Sequence, residues 1–302
     1  MLDAKYVNRL LHCDCVAGMQ ELPDECIPLT VTSPPYDDMR EYGGHLFDFE
    51  AIAQQLYRVT MPGGVVVWVV RDAVVSRGES GTSFRQALRF QELGFLLYET
   101  IIMDRTGYYY GNNPRYGGSP EYAFVLSKGK PMTLNFITDR RNKNVGARQR
   151  CHRRRKDGGI DKCGLSKPIG MWGRRGRVWV YSVGFNQTTK DKAAYRHSAL
   201  MPEAMAEDLI VSFSLPGDLV FDPFSGAGTT AKMALLNCRR YLGMEIHEPY
   251  HDTALQRIQV AQAELARRLD KSLGIHLTQK ANRAAFRCER IELPERHEGN
   301  QK

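Results

Sequence analysis

No apolar stretch in this chain of 302 residues approaches the ~20 residues that a membrane-spanning helix needs; the longest, Val65–Val70, is of strand length. The N-terminus carries no basic-then-apolar leader, so the expectation is a protein that is not exported and works in the cytoplasm. Seven cysteines, an odd number scattered along the chain, fit reduced thiols and not a disulfide framework. Cys13 and Cys15 stand too close together around Asp14 for a redox pair or a common zinc spacing, and they read as strand residues. Cys151, His152 and Cys163 lack a paired C-x-x-C and an obvious fourth ligand, so no metal site is expected. Internal repeats and long low-complexity tracts are also missing, which excludes solenoids and disordered tails as the main architecture.

What is present is an ordinary globular composition, 42% hydrophobic and 25% charged. Lys and Arg number 42 against 34 Asp and Glu, a net charge of +8, which is compatible with a polyanionic partner without establishing one. Residues 1–130 alternate strand-like and helix-like segments: Pro28–Thr32, a helix over Phe49–Thr60 closed by Pro62-Gly63-Gly64, then Gly64–Val70 and Phe95–Met103. Short continuous β-branched runs between helices are typical of parallel strands buried on both faces. Residues 131–195 are rich in Arg, Lys and Gly. Residues 196–258 return to α/β character, with helices at Pro202–Ser214 and Thr229–Asn237 and strands at Leu219–Phe221 and Tyr241–Glu245. Residues 259–302 read as a helical extension and a frayed tail. The fold class expected is α/β, a mostly parallel twisted sheet with helices on both faces.

Two motifs carry chemistry. In Leu215–Leu235 an apolar strand ends at Asp222, a turn bearing Gly226 and Gly228 follows, and a helix begins near Thr229. Such a strand–turn–helix unit lets backbone approach a ligand closely. A dinucleotide fingerprint is the plainer reading, but its third glycine is missing and Asp222-Pro223-Phe224 precedes the turn. An acidic residue there repels a pyrophosphate and suits the ammonium of an amino-acid ligand. Glu245, 23 residues beyond Asp222, can take both hydroxyls of a ribose. An amino-acid end plus a ribose without pyrophosphate describes S-adenosylmethionine.

The second motif is Thr32-Ser33-Pro34-Pro35-Tyr36, directly after an apolar strand. Consecutive prolines hold the backbone extended and leave carbonyls free to accept hydrogen bonds. Alone, the motif could be a rigid turn at a strand end. An exocyclic base amine, however, is a poor nucleophile because its lone pair is delocalised into the ring. Acceptors on its two N–H groups, here the Ser33 hydroxyl oxygen and the Pro34 carbonyl, draw the nitrogen toward a tetrahedral form, and Tyr36 can stack on a flipped base. Catalysis would then be mostly positioning.

Together, TSPPY and FDPFSGAGTT resemble the DNA amino-methyltransferases that modify adenine N6 or cytosine N4, over roughly residues 8–258. The catalytic motif precedes the cofactor motif, as in the circularly permuted beta group, whose fold is Rossmann-like. The resemblance implies S-adenosylmethionine held by Asp14, Thr32, His197, Asp222, Pro223, Phe224, Ser225, Gly226, Gly228, Thr229, Thr230 and Glu245, and catalysis by Ser33, Pro34, Pro35 and Tyr36. NPRYGGSPEYAFVLSKG resembles the strand that helps form the base pocket, with Glu121 and Tyr122 in matching places. Asp37, Asp38, Arg40 and Tyr42 could order the loop over the base. His45 has no role in this chemistry, and Tyr108–Tyr110 could contact DNA or fill a loop.

Arg140–Lys156 holds nine Lys or Arg in seventeen residues, and a second cluster follows Trp172. A charge run is often only a solvated loop. In the permuted group the target-recognition region lies between the base-pocket strand and the cofactor motif, the slot filled by residues 131–195. Arg140, Arg141, Lys143, Arg148, Arg150, Arg153, Arg154, Arg155, Lys156, Arg174, Arg175 and Arg177 are therefore the expected contacts to double-stranded DNA. The resemblance also suggests a bacterial or phage origin and a homodimer, with Ala254–Leu273 as a candidate interface; any cognate restriction enzyme would be another chain. Ser at the first motif position is commoner in cytosine-N4 enzymes, whereas the extended TSPPYDDMREYGG resembles stand-alone methylases that include adenine enzymes. The balance is narrow and tips to adenine N6. A DNA-binding module without catalysis and an RNA substrate are the other readings.

Overall fold

The computed structural model describes residues 2–35, 47–106, 120–148, 150–197 and 199–278. Tyr36 of the catalytic motif, Asp37, Asp38, Arg40, Tyr42, His45 and Tyr108–Tyr110 lie outside them. Eight strands form the main sheet: β1 (Arg9–His12), β2 (Ile27–Thr32), β3 (Thr60–Val70), β4 (Leu96–Thr106), β5 (Glu121–Ser127), β6 (Val178–Ser182), β7 (Leu219–Asp222) and β8 (Arg240–Glu245). Their spatial order is β1-β8-β7-β2-β3-β5-β4-β6. β5 runs against both its neighbours, and every other pairing in the sheet is parallel.

Helices α1 (Cys15–Gln20), α2 (Phe49–Val59) and α3 (Thr82–Glu92) cover one face, and α4 (Glu203–Phe213), α5 (Thr229–Leu236) and α6 (Glu248–Thr278) cover the other. The period-2 alternation of the strands sorts the core. Val65, Val67 and Val69 of β3 face α4 and α5 with Leu29, Val31 and Val220, while Val66, Trp68 and Val70 face α2 and α3 with Ile27 and Phe221. A strand buried on both sides needs VVVWVV and not an alternating pattern, which is why this run reads as continuous. Each such valine removed from water contributes ~1.5–3 kcal/mol. α2 starts where the Asp48 carboxylate accepts from Ala51 N at 3.0 Å, and buries Ile52, Leu56 and Val59 along one stripe.

Several sequence expectations change. Thr60-Met61-Pro62-Gly63-Gly64 does not close α2; it is already β3, with Ile27 paired to Thr60 and an irregularity before Leu29 pairs with Val65. Gly63 (φ +77°) absorbs that irregularity and donates from its N–H to the Lys128 carbonyl. Cys15 is not in a strand. It opens α1, because Asp14 caps the helix through Ala17 N at 2.9 Å. Residues 131–195 do not stand apart from the sheet, since Val178–Ser182 pairs with Ile102–Thr106 as its edge strand. The division at residue 258/259 falls inside α6. The proposed dimer face on α6 is also partly used up: Ala254, Ile258 and Ala261 are buried in this chain's own core. Among the described residues, no helix is long and apolar enough to cross a membrane.

Candidate functional site

β7 and β2 lie side by side at the centre of the sheet. From β7 the chain passes through α5 to β8 on one side, and from β2 through α2 to β3 on the other. The strand order thus diverges between them, which is where open α/β sheets form a ligand crevice beyond the carboxyl ends of the strands. A side-chain hydrogen bond spans that point: the Thr32 hydroxyl donates to Asp222 Oδ1 at 2.6 Å, across 190 residues of sequence. The two motifs therefore meet.

Asp222 is buried. Its carboxylate also accepts from Phe224 N at 3.0 Å and from the Thr230 hydroxyl. Burial, with the charge of Glu245 adding to it, pushes the carboxyl up to about 6, against the opposing effect of those hydrogen bonds. A buried carboxylate facing a second carboxylate makes a site short of positive charge. Glu245 ends β8, where Oε2 accepts from Gly226 N at 2.7 Å and Oε1 from His247 N at 2.8 Å.

The turn between them is shaped for close approach. Gly226 (φ +50°) and Gly228 (φ +75°) occupy the left-handed region. A Cβ on Gly226 would lie 2.8 Å from His197 Nε2, and one on Gly228 would meet Ala254 at the same distance. Pro223, Ser225, Thr229 and Thr230 are buried around the turn. Among the described residues, the Ser225 hydroxyl and His247 Nδ1 are buried without a protein partner. Two orphaned polar atoms, two carboxylates and a glycine cradle fit a ligand that combines an ammonium with ribose hydroxyls.

The remaining cofactor candidates line up on the same rim. His12, two residues before Asp14, pairs with Glu245, and Cys13 N donates to the Glu245 carbonyl at 3.0 Å. His197 accepts from Ala199 N through Nδ1 at 3.0 Å, and its ring lies 4.2 Å from that of Tyr250 on α6. Phe224 packs near Phe47 (5.9 Å) and Trp68 (6.3 Å), so the chain at Phe47 lies against the glycine turn.

On the β2 side, Ser33 is half-buried and follows Thr32, with Pro34 and Pro35 next along the rim. Because β5 is antiparallel, its first residues reach the same rim: Val70 pairs with Tyr122. Glu121 is buried against Arg105, and Tyr122 stacks on Phe124 at 5.8 Å. Burial raises the Tyr122 hydroxyl above its ordinary range, and the Glu79 and Asp72 charges add to this.

The basic segment forms two small antiparallel ribbons. Arg140–Arg141 pairs with Trp172–Gly173, and Arg150–Arg154 pairs with Ile160–Leu165. Arg140, Arg141, Lys143, Arg148, Arg153, Arg154, Arg155, Lys156, Arg174 and Arg177 are exposed. Arg150 lies on the second ribbon. Arg155 stands 3.5 Å from both Asp157 and Asp161, Arg177 bonds Glu99 at 2.8 Å, and Arg174 stacks 3.9 Å over Phe136. Arg175 departs from expectation. Its guanidinium is held by Asp139 (2.6 Å) and Asp208 (2.5 Å), and the Tyr181 hydroxyl bonds the same Asp208. It clamps the segment to α4 and is committed within the protein.

A family model described as DNA methylase matches residues 27–256. The chain belongs to this DNA methylase family. The orphan methyltransferase M.BamHII of Bacillus amyloliquefaciens is 48% identical over 243 residues, 80% of this chain and 92% of that one. The putative DNA modification methylase TTHA0409 of Thermus thermophilus, solved with S-adenosyl-L-methionine, superposes with a TM-score of 0.56 at 24% identity, covering 84% of this chain and 94% of that one. The PvuII DNA methyltransferase, named as cytosine-N4-specific, gives 0.60 at 17% identity, covering 86% and 92%. The α/β sheet is therefore the Rossmann-like sheet of a DNA methyltransferase. Residues that motif reading missed are Arg257 and Lys232, whose buried charges stand behind the turn; Arg257 falls within no motif, and Lys232 sits in the helical end of Leu215–Leu235, past the residues given a role there.

Proposed function

We propose that the protein methylates the exocyclic amino group of a base flipped out of duplex DNA, and that the base is cytosine. The observation that carries the methyl-transfer reading is the Thr32–Asp222 hydrogen bond, which holds the acceptor motif and the cofactor turn together. S-adenosylmethionine is the methyl donor and supplies a methyl group on a positively charged sulfur. Asp222 would hold its ammonium and Glu245 its ribose hydroxyls, and the resemblance puts Asp14 near its adenine. Ser33 and the Pro34 carbonyl accept from the base amine and turn its lone pair outward, and Tyr36 stacks on the base. The surplus amine proton leaves to solvent after transfer, so no base among these side chains is required.

Ser33 is what turns the narrow sequence balance from adenine to cytosine: it stands directly beside the Thr32–Asp222 bond, and at this first motif position the resembling family carries Ser most often in cytosine-N4 enzymes. Adenine N6 is the second reading, favoured by the likeness of the whole Thr32–Gly44 stretch to stand-alone methylases. Nucleoside analysis of methylated product separates the two.

The two ribbons are the surface we assign to DNA phosphates. Replacing Arg140, Arg141, Arg153 and Arg154 together by Ala is expected to lower duplex affinity and flatten its salt dependence. Each lost phosphate contact removes ~0.9 from the slope of log K against log salt. Arg175→Ala is expected to behave differently. Its loss leaves Asp139 and Asp208 without their cation, lowering stability by ~1.5–3 kcal/mol while the salt slope stays at its wild-type value. Fluorescence anisotropy across a salt series, paired with thermal melts, checks both; an unchanged slope in the fourfold variant would count against the ribbons.

A further inference from the structure

Behind the glycine turn lie four charges that the transfer reaction does not use. Arg257 of α6 and Lys232 of α5 have side chains only 2% and 7% exposed. Both bind the same two carboxylate oxygens. Lys232 Nζ reaches Asp191 Oδ2 and Glu203 Oε1 at 2.8 Å each, and Arg257 reaches them at 2.9 and 2.6 Å. Two cations against two anions leave the cluster neutral, a condition for keeping ions so deeply buried.

Arg257 also faces the turn. Its guanidinium donates to the Ala227 carbonyl at 2.5 Å, between the two left-handed glycines, and to the Thr229 hydroxyl at 3.1 Å. The cluster thus touches the one backbone segment whose shape the cofactor cradle depends on.

The two carboxylates tie the opposite wall. Asp191 lies in the strap Gly184–His197, which runs from the sheet-edge strand β6 toward α4. Glu203 opens α4, accepts from the Thr189 hydroxyl at 2.6 Å, and donates from its N–H to the Thr188 carbonyl at 3.0 Å. Six residues past Asp191, His197 fills the space above Gly226 and meets the Tyr250 ring. Turn and strap are therefore held to each other through one guanidinium.

We propose that Arg257 is a positioning residue for the methyl donor, fixing the turn at Ala227 and the His197 strap at Asp191 and Glu203 so that the cradle is formed before the ligand arrives. This rests on the assignment of the turn as the S-adenosylmethionine site. Arg257 does not touch the reacting atoms, so it acts on cofactor affinity and not on the transfer step.

The test is calorimetric binding of S-adenosylhomocysteine, with steady-state kinetics and a thermal melt on the same samples. Arg257→Gln is expected to raise the Kd of S-adenosylhomocysteine and the KM of S-adenosylmethionine at least tenfold. Its kcat at saturating cofactor should stay within about threefold of wild type. Arg257→Lys, which keeps the charge but has one donor centre for four acceptors, should fall between the two. Should Arg257→Gln fail to fold, Asp191→Asn releases only the strap and is expected to raise Kd severalfold. A lowered Tm with Kd and KM within twofold of wild type would mean a purely structural cluster and would overturn the inference. Wild-type protein that binds no S-adenosylhomocysteine would instead contradict the cofactor assignment, and this inference with it.

Discussion

Asp222→Asn is expected to weaken S-adenosylmethionine binding by about a hundredfold while leaving the chain folded. Asparagine keeps the size of the side chain and can still accept from the Thr32 hydroxyl and Phe224 N, so the substitution removes charge and little else. Truncating one partner of a buried, hydrogen-bonded charge pair typically costs ~2–5 kcal/mol, and a hundredfold lies inside that range. The pH dependence gives a second readout. Burial pushes the Asp222 carboxyl up to about 6, above its ordinary 3.8. A cationic ligand prefers the ionised form, so wild-type affinity should climb as pH rises from about 5 to about 7 and level off above. Without ligand the sign is opposite for stability: a carboxyl raised in the folded state contributes fully below about 4 and loses that contribution as pH rises through about 6. The Asn variant should show neither step. Binding in that variant within threefold of wild type, with the same pH profile, would remove Asp222 from the site.

Ser33→Ala is expected to lower the rate of methyl transfer by ~10²-fold or more, the usual effect of deleting one preorganised hydrogen-bonding group aimed at a transition state. The loss should fall on kcat. Ser33 directly follows Thr32, whose hydroxyl is fixed to Asp222, so its distance from the cofactor turn is set by the sheet and not by the loop. S-adenosylhomocysteine affinity should therefore stay at its wild-type value. Single-turnover transfer at saturating cofactor and DNA isolates the step; a rate within threefold of wild type would show that the hydroxyl is not an acceptor in it.

The centre of this fold is legible in the sequence because its strands are short apolar runs buried on both faces, as at Val65–Val70 and Leu219–Phe221, punctuated by helix caps such as Asp48. The edges are not. Val178–Ser182 alternates exposed valines with buried Trp179 and Tyr181, but its partner residues begin at Ile102, and the surrounding arginines mask the pattern. Cys15 reads as strand because the capping role of Asp14 depends on a bond three residues ahead. The site is legible where a motif is contiguous: Asp222 to Thr230, and Thr32 to Pro35. It is illegible where charges pair across sequence. Arg175 finds Asp139 and Asp208 at separations of 36 and 33 residues, and Arg257 finds Asp191 across 66. A basic residue next to other basic residues gives no local sign that it faces inward.

The most direct test of the central claim is to incubate the purified protein with S-adenosylmethionine and unmethylated duplex DNA, digest the DNA to nucleosides and analyse them by mass spectrometry. The expected product is N4-methylcytosine, formed by wild type and sharply reduced with Ser33→Ala. N6-methyladenine would keep the exocyclic-amine chemistry and change the base. A methyl group on a ring carbon, or no methylated nucleoside from protein that binds both cofactor and DNA, would contradict it.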